Sequence, residues 1–399
     1  MIQSQKCLDA IIDGKYDEFF KKYYGEDKLE YCQARFREAL TAWSTIYGRD
    51  REVAVYSVPY SVLLAGDGAD VSIPTTMDLV VVANVNNTNI ARVRLSGFDG
   101  EDEVDLYQHG PYSDEDGKSI SVIRGVEQAF LDKGYRKVLS VDLFITGDTL
   151  PEFGLDEATH LAVAVAKVIN DFSFEGKLTE KELSEIVQWA LANYVRIDSY
   201  ATDTYSTLRG KTIVGDFTDT ENPVISEIDV DMKGRSIYTA DITGTDLEMH
   251  DHEVDEKLDA LIEKLGINLD ELDDAELFEK LPEKDFYEKL ASMENVDKEA
   301  ALFMMDYYSQ ENFGVIYEAN AAEGTGSPSV EETREDEKES AGGASQKWHC
   351  KPKFPYVLTV CCVADEAEDA FRKAIEHVYG EDCVEKLGIA EYPMHVIIE

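Results

Sequence analysis

Four short stretches of the chain concentrate side chains able to do chemistry. The first spans residues 57–70, where an apolar run enters Gly66-Asp67-Gly68-Ala69-Asp70. Asp67 and Asp70 sit in a glycine-bracketed turn. Carboxylates so placed can accept hydrogen bonds from the hydroxyl groups of a sugar; a turn stabilised by its own Asp side chains gives the same pattern. The second is Gly154-Leu155-Asp156-Glu157-Ala158-Thr159-His160-Leu161, a glycine turn that opens an apolar helix. A helix N-terminus is a natural seat for phosphate. Here Asp156 can cap the free N–H groups itself. At 4 Å and an effective dielectric of 20, each of Asp156 and Glu157 would oppose a phosphate charge by about 4 kcal/mol. A bound Mg²⁺ reverses that sign. His160 has no catalytic partner nearby in sequence and reads as a packed side chain.

The third stretch, residues 198–207, carries Asp203 between Thr202 and Thr204. Asp203 suits a general base acting on a hydroxyl, and equally an Asp in a turn. The fourth is Met249-His250-Asp251-His252-Glu253. Its His-x-His spacing suits a metal. It also opens an acidic helix, where a solvated N-terminus explains the same residues, and no metal is assigned.

The elements that must hold these residues alternate between strand and helix. The spacing predicts a helix over 34–47, with Phe36, Ala39, Leu40, Trp43 and Tyr47 on one face and Gly48 as its stop. Strands are expected over 53–58, 62–65, 79–85 and 93–95. A helix over 123–131 and a strand over 138–146 follow. Helices are predicted over 157–171 and from Thr179, where Thr179 and Glu182 form a capping box. Strands are expected over 213–217 and 236–242, and acidic amphipathic helices over 251–311. Residues 319–346 are rich in Gly, Ser, Ala and acids and read as a flexible linker. A strand over 357–363 and a helix over 364–379 close the chain. The expected class is α/β (α+β), and no tandem repeat is present.

The chain has 399 residues and a net charge of −44. A surface that negative repels nucleic acid and anionic lipid, so neither is an expected partner. No apolar run reaches the length of a membrane span, and the first residues lack the apolar core of a signal peptide. The six cysteines show neither CxxC spacing nor a paired framework. Reduced, mostly buried thiols in the cytoplasm are expected.

In order and spacing, these segments resemble the galactokinase branch of the GHMP kinase superfamily over nearly the whole chain. Tyr47-Gly48-Arg49-Asp50-Arg51-Glu52-Val53 resembles the entry to the family's sugar motif. In P-G-R-x-N-L-I-G-E-H-T-D, the residues Pro59, Leu64, Gly66 and Asp70 match. Asp67 stands where Glu or Asn is usual, while Tyr60, Ser61 and Gly68 replace glycine, arginine and histidine. In the phosphate-loop motif G-L-S-S-S-A-A-L, Gly154, Leu155 and Leu161 match. The serines become Asp156, Glu157 and Ala158, and the alanines Thr159 and His160. In M-D-Q-x-A the aspartate corresponds to Asp203. Gly215-Asp216-Phe217-Thr218-Asp219, followed by Asn222-Pro223-Val224-Ile225, resembles the strand and loop after that segment. Lys351-Pro352-Lys353-Phe354-Pro355-Tyr356 stands where the family has a run of glycines.

The resemblance implies a two-domain fold with its site in the interdomain cleft, divided into residues 1–215 and 216–399, the latter interrupted by the linker at about 319–346. It implies Asp67, Asp70 and Asp203 as sugar-binding residues and Asp203 as the catalytic base. Gly154, Leu155, Asp156 and Glu157 form a degenerate nucleotide loop. The family's activity is transfer of phosphate from MgATP to the anomeric hydroxyl of galactose or a similar sugar. Here the matching arginine, the serine loop and the glycine loop are replaced, and phosphoryl transfer relies mainly on positioning and electrostatics. The leading expectation is a galactokinase-like pseudokinase retained for binding a sugar or another protein. The alternatives are an active, diverged kinase, with Asp156 or Glu157 on Mg²⁺ and Lys351 or Lys353 on phosphate, and an acidic structural protein that binds neither ligand.

Overall fold

The computed structural model describes residues 2–64, 69–97, 100–115, 118–135, 138–147, 157–197, 199–217, 219, 223–242, 251–266, 280–324, 358–392 and 394–396. The chain begins with β1 (Ile2–Gln3) and three helices, α1 (Ser4–Ile12), α2 (Asp17–Tyr24) and α3 (Leu29–Tyr47). The apolar face predicted for α3 is the buried one: Phe36, Ala39, Leu40 and Trp43 are inside. Gly48 ends the helix at a φ of 109°, a conformation that costs glycine little.

Next come the two long strands of the molecule, β2 (Glu52–Leu64) and β3 (Ala69–Val85), paired antiparallel. The sequence reading divides this region into shorter strands because Pro59 and Pro74 interrupt it. In the structure the pairing runs past both prolines, with Pro59 opposite Asp78 and Pro74 opposite Ser61, and the register shifts between Pro59 and Ser61. A residue without an N–H is accommodated at such an irregularity. Alternation along β2 sends Val53 and Val55 toward α3, and Ala54, Tyr56 and Val58 into a second core.

The large sheet is completed by β4 (Ile90–Leu95), β5 (Asp102–Asp105), β6 (Val141–Gly147), β7 (Thr212–Asp216) and β8 (Val224–Ile228). Its main path is β1-β2-β3-β6-β4-β5, while β7 joins β3 and carries β8. β4 and β6 are parallel, and the crossover between them contains α4 (Ser119–Asp132). Helices α4 and α5 (Glu157–Phe174) bury their apolar faces in the core on this sheet, and α6 (Glu180–Ala190) packs on both of them. The Thr179–Glu182 capping box is formed in both directions. A π-helical turn (Leu191–Val195) leads to α7 (Ala201–Arg209).

The C-terminal half is built on a smaller antiparallel sheet. β9 (Arg235–Asp241) is its centre, flanked by β10 (Leu358–Ala364) and β11 (Val384–Leu387). Helices α8 (Asp251–Lys264), α9 (Glu283–Ser292), α10 (Lys298–Gly324) and α11 (Glu368–Tyr379) pack with it around Tyr238, Phe286, Tyr287 and Phe371. A shared core joins the two sheets, with Val62, Ile73 and Met77 against Ile237, Ile316 and Leu387. β12 (His395–Val396) returns to β2.

Helix α10 corrects one boundary. It continues to Gly324, beyond residue 319, where composition starts the linker. Asn320 explains the extension: it is buried, donates to the carbonyls of Ile316 and Asp231, and accepts from the Asp231 N–H. Residues 325–346 of that segment lie outside the described residues, as do Met249 and His250 of the His-x-His stretch. Among the described cysteines, Cys7, Cys32, Cys361 and Cys362 are buried and Cys383 is half-buried. Burial pushes the Cys7 thiol up to about 12. No helix among the described residues is long and apolar enough to cross a membrane.

Candidate functional site

Asp203 lies in the first turn of α7, where the helix dipole favours a carboxylate. It is 4% exposed. Helix α7 was not foreseen, because its residues are mostly polar and only the surrounding sheet and helices make burying them consistent. What brings Asp203 into place is the β2–β3 hairpin. Ser61 is paired with Pro74, so Ser61 and Ser72 are diagonal neighbours on one face. Both hydroxyls donate to Asp203 Oδ1, at 3.0 Å from Ser61 and 2.9 Å from Ser72. The lone pairs of Oδ1 are thereby used, and the hydrogen bonds that the described residues give to this carboxylate all go to Oδ1. Oδ2 is the oxygen left for an incoming hydroxyl group.

Asp70 approaches from the same hairpin. β3 pairs with β7, so Asp70 is opposite Gly215. A Cβ on Gly215 would come within 2.7 Å of Thr202 Cγ2 and 2.5 Å of the Phe217 ring. Glycine at this position therefore lets α7 lie close to the strand pair. Burial pushes the Asp70 carboxyl up to about 6, and the Asp203 charge adds to the shift. Carboxylates, hydroxyls and an imidazole make up the described part of the site.

The imidazole belongs to His160, buried near the start of α5. Its Nε2 accepts from the Ser61 N–H at 2.9 Å and lies 3.2 Å from Ser61 Oγ. The Tyr60 ring covers it, with centroids 4.4 Å apart. His160 is thus packed, and it sits against the same serine that reaches Asp203. Thr202 and Thr204 flank Asp203 with buried hydroxyls that have no hydrogen-bond partner among the described residues. The roles of Ser61, Ser72 and His160 were missed in the sequence. The signal that could have found the serines is their placement on either side of residues 65–68, but it is readable only once the register of β2 and β3 is known.

Asp67, Gly154, Leu155 and Asp156 lie outside the described residues, and Glu157 is described only as the first residue of α5.

The β2–β3–β6 sheet, its helical face and the second, smaller sheet together define an α/β fold of the GHMP-kinase type. The fold is shared with a solved galactokinase structure. The structure of Lactococcus lactis galactokinase complexed with galactose aligns over 89% of this chain and 97% of its own, with a TM-score of 0.51 and 16% identity. A mevalonate kinase structure aligns over 84% of this chain and 99% of its own, with a TM-score of 0.45 and 11% identity. In sequence, the chain is 32% identical over 88 residues to the galactokinase of Clostridium tetani (strain Massachusetts / E88). That match spans 22% of this chain and 22% of the relative's length. No family model matches the chain.

Proposed function

We propose that the chain is a galactokinase-like protein that binds a galactose-type sugar through Asp70 and Asp203 and does not transfer phosphate efficiently. The observation that carries this reading is the setting of Asp203. Its Oδ1 is filled by two serine hydroxyls, and Oδ2 remains to accept a ligand hydroxyl beside Asp70. In this reading Asp67, three residues before Asp70 in sequence, is a third sugar-facing carboxylate. Residues 1–215 carry the sugar-facing groups, and residues 216–399 form the second half.

The described residues fit a triphosphate poorly. Ser61, where the resembling family has arginine, offers a neutral hydroxyl. The charge acting on Asp70 is that of another carboxylate. α5 opens on the acid Glu157. Transfer of a phosphoryl group needs cations against its developing charge, so no transfer step is assigned to Asp203. MgATP supplies the phosphoryl group in an active kinase; Gly154, Leu155, Asp156 and Glu157 are the residues that would face it. The buried thiols support a reducing, cytoplasmic setting for the protein.

The test is thermal unfolding with galactose, with MgATP and with both. Galactose alone raises Tm, and Asp203→Asn abolishes the rise. A rise with MgATP, together with sugar-dependent ADP release, establishes the active kinase instead.

A further inference from the structure

A cleft of about 430 Å³ lies away from the Ser61–Asp203–His160 cluster and shares no lining residue with it. Its floor is the middle of β3, around Thr76, and its two walls come from opposite halves of the chain. Lys28 and Arg35, at the start of α3 and within it, form one wall. Asp241 of β9, Asp382 and Glu385 of β11 form the other. The walls are therefore oppositely charged. Lys28 and Glu385 meet in a salt bridge between them. Arg35 is held from behind by buried Asp78, which also accepts from Tyr24 Oη at 2.5 Å. Both cations also lie near the Tyr31 ring, at 5.7 Å for Lys28 and 5.3 Å for Arg35.

This polarity selects among ligands. A lone anion would be drawn to Lys28 and Arg35 and would face three carboxylates across the cleft. A lone amine would meet the two cations. A molecule with a carboxylate at one end and an ammonium at the other meets a complementary wall at each end. In a chain of net charge −44, paired cations are the condition for admitting the anionic end.

We infer that this cleft binds a small zwitterion, an ammonium–carboxylate compound of amino-acid type, with its carboxylate on Lys28 and Arg35 and its ammonium on Asp241, Asp382 and Glu385. Such a ligand bridges α3 to the C-terminal sheet and so ties the two halves of the molecule together. The inference does not depend on sugar binding at Asp203.

Calorimetric titration of the full chain at low ionic strength tests it. The probes are β-alanine, γ-aminobutyrate and ε-aminocaproate, which set the two charges at increasing separation. Butyrate and butylamine are the singly charged controls. At least one zwitterion is expected to bind saturably with one site per chain, and neither control. Lys28→Glu changes an exposed side chain and should weaken binding roughly tenfold or more, with the galactose-induced rise in Tm unchanged. Asp382→Asn should weaken it as well. Asp382 has a φ of 60°, which Asn tolerates, so this variant keeps the fold and loses only the charge. Absence of saturable binding by all three zwitterions overturns the inference. So does butylamine binding as tightly as the best zwitterion, or unchanged affinity in both variants.

Discussion

Asp203 accepts two serine hydroxyls on the same oxygen, and this arrangement makes specific demands on its neighbours. Ser72→Ala removes one of the two donors from a buried carboxylate oxygen. It should destabilise the fold by about 1–3 kcal/mol, measured by denaturant unfolding, and should weaken galactose binding less than Asp203→Asn does. Gly215→Ala tests the close approach of α7. Its Cβ would need Thr202 and Phe217 to move, for an expected loss of about 1–3 kcal/mol. If that variant is as stable as the parent, the contact between α7 and the strand pair is looser than described. The difference between what could and could not be read in advance is clear at this scale. Asp70 and Asp203 stood out as carboxylates beside turn residues and threonines, but their expected roles came from the family resemblance and not from their spacing. Ser61 and Ser72 did not stand out, because they act through a hairpin register that the sequence does not display. His160 was recognised as a packed residue, but its contact with Ser61 is 99 positions away in sequence.

Elements whose signal is local were legible. The Thr179–Glu182 box predicts the start of α6, since its hydrogen bonds span only three residues. Thr179→Ala should cost about 1 kcal/mol, a lower Tm with unchanged secondary structure by circular dichroism. The apolar faces of α3, α5 and α11 follow the 3.6-residue period, so they too could be read directly. Elements whose existence depends on partners were not legible. β11 and β8 are short strands, stabilised by β9 and β7. The run of β2 through Pro59 depends on a register shift against β3. The extension of α10 to Gly324 depends on Asn320 finding the Asp231 backbone.

Across the whole molecule the dominant physical fact is a net charge of −44. Self-repulsion of that size opposes the compact state and is screened by salt. Several half-buried carboxyls point the same way. Burial raises Asp70 and Asp306 to about 6 and Glu283 to about 7. A carboxyl raised in the folded state contributes stability that is fully present below its unfolded pKa and is lost as pH rises through its folded pKa. For these three groups the loss falls between their ordinary values, 3.8 for Asp and 4.5 for Glu, and their folded values of about 6 to 7. Tm should therefore rise as the buffer is taken from pH 8 toward 5.5, and rise again when salt is added at pH 8. A Tm that falls over the same acidification would mean that these carboxyls are ion-paired in the folded state.

Sugar binding without efficient phosphoryl transfer is tested most directly by one titration series on the full chain. Tm is followed with galactose, with MgATP and with both, and ADP release is recorded in the same samples. The expected result is a saturable rise with galactose, lost in Asp203→Asn, no rise with MgATP, and no sugar-dependent ADP. A rise with MgATP accompanied by ADP release that requires galactose would contradict the account.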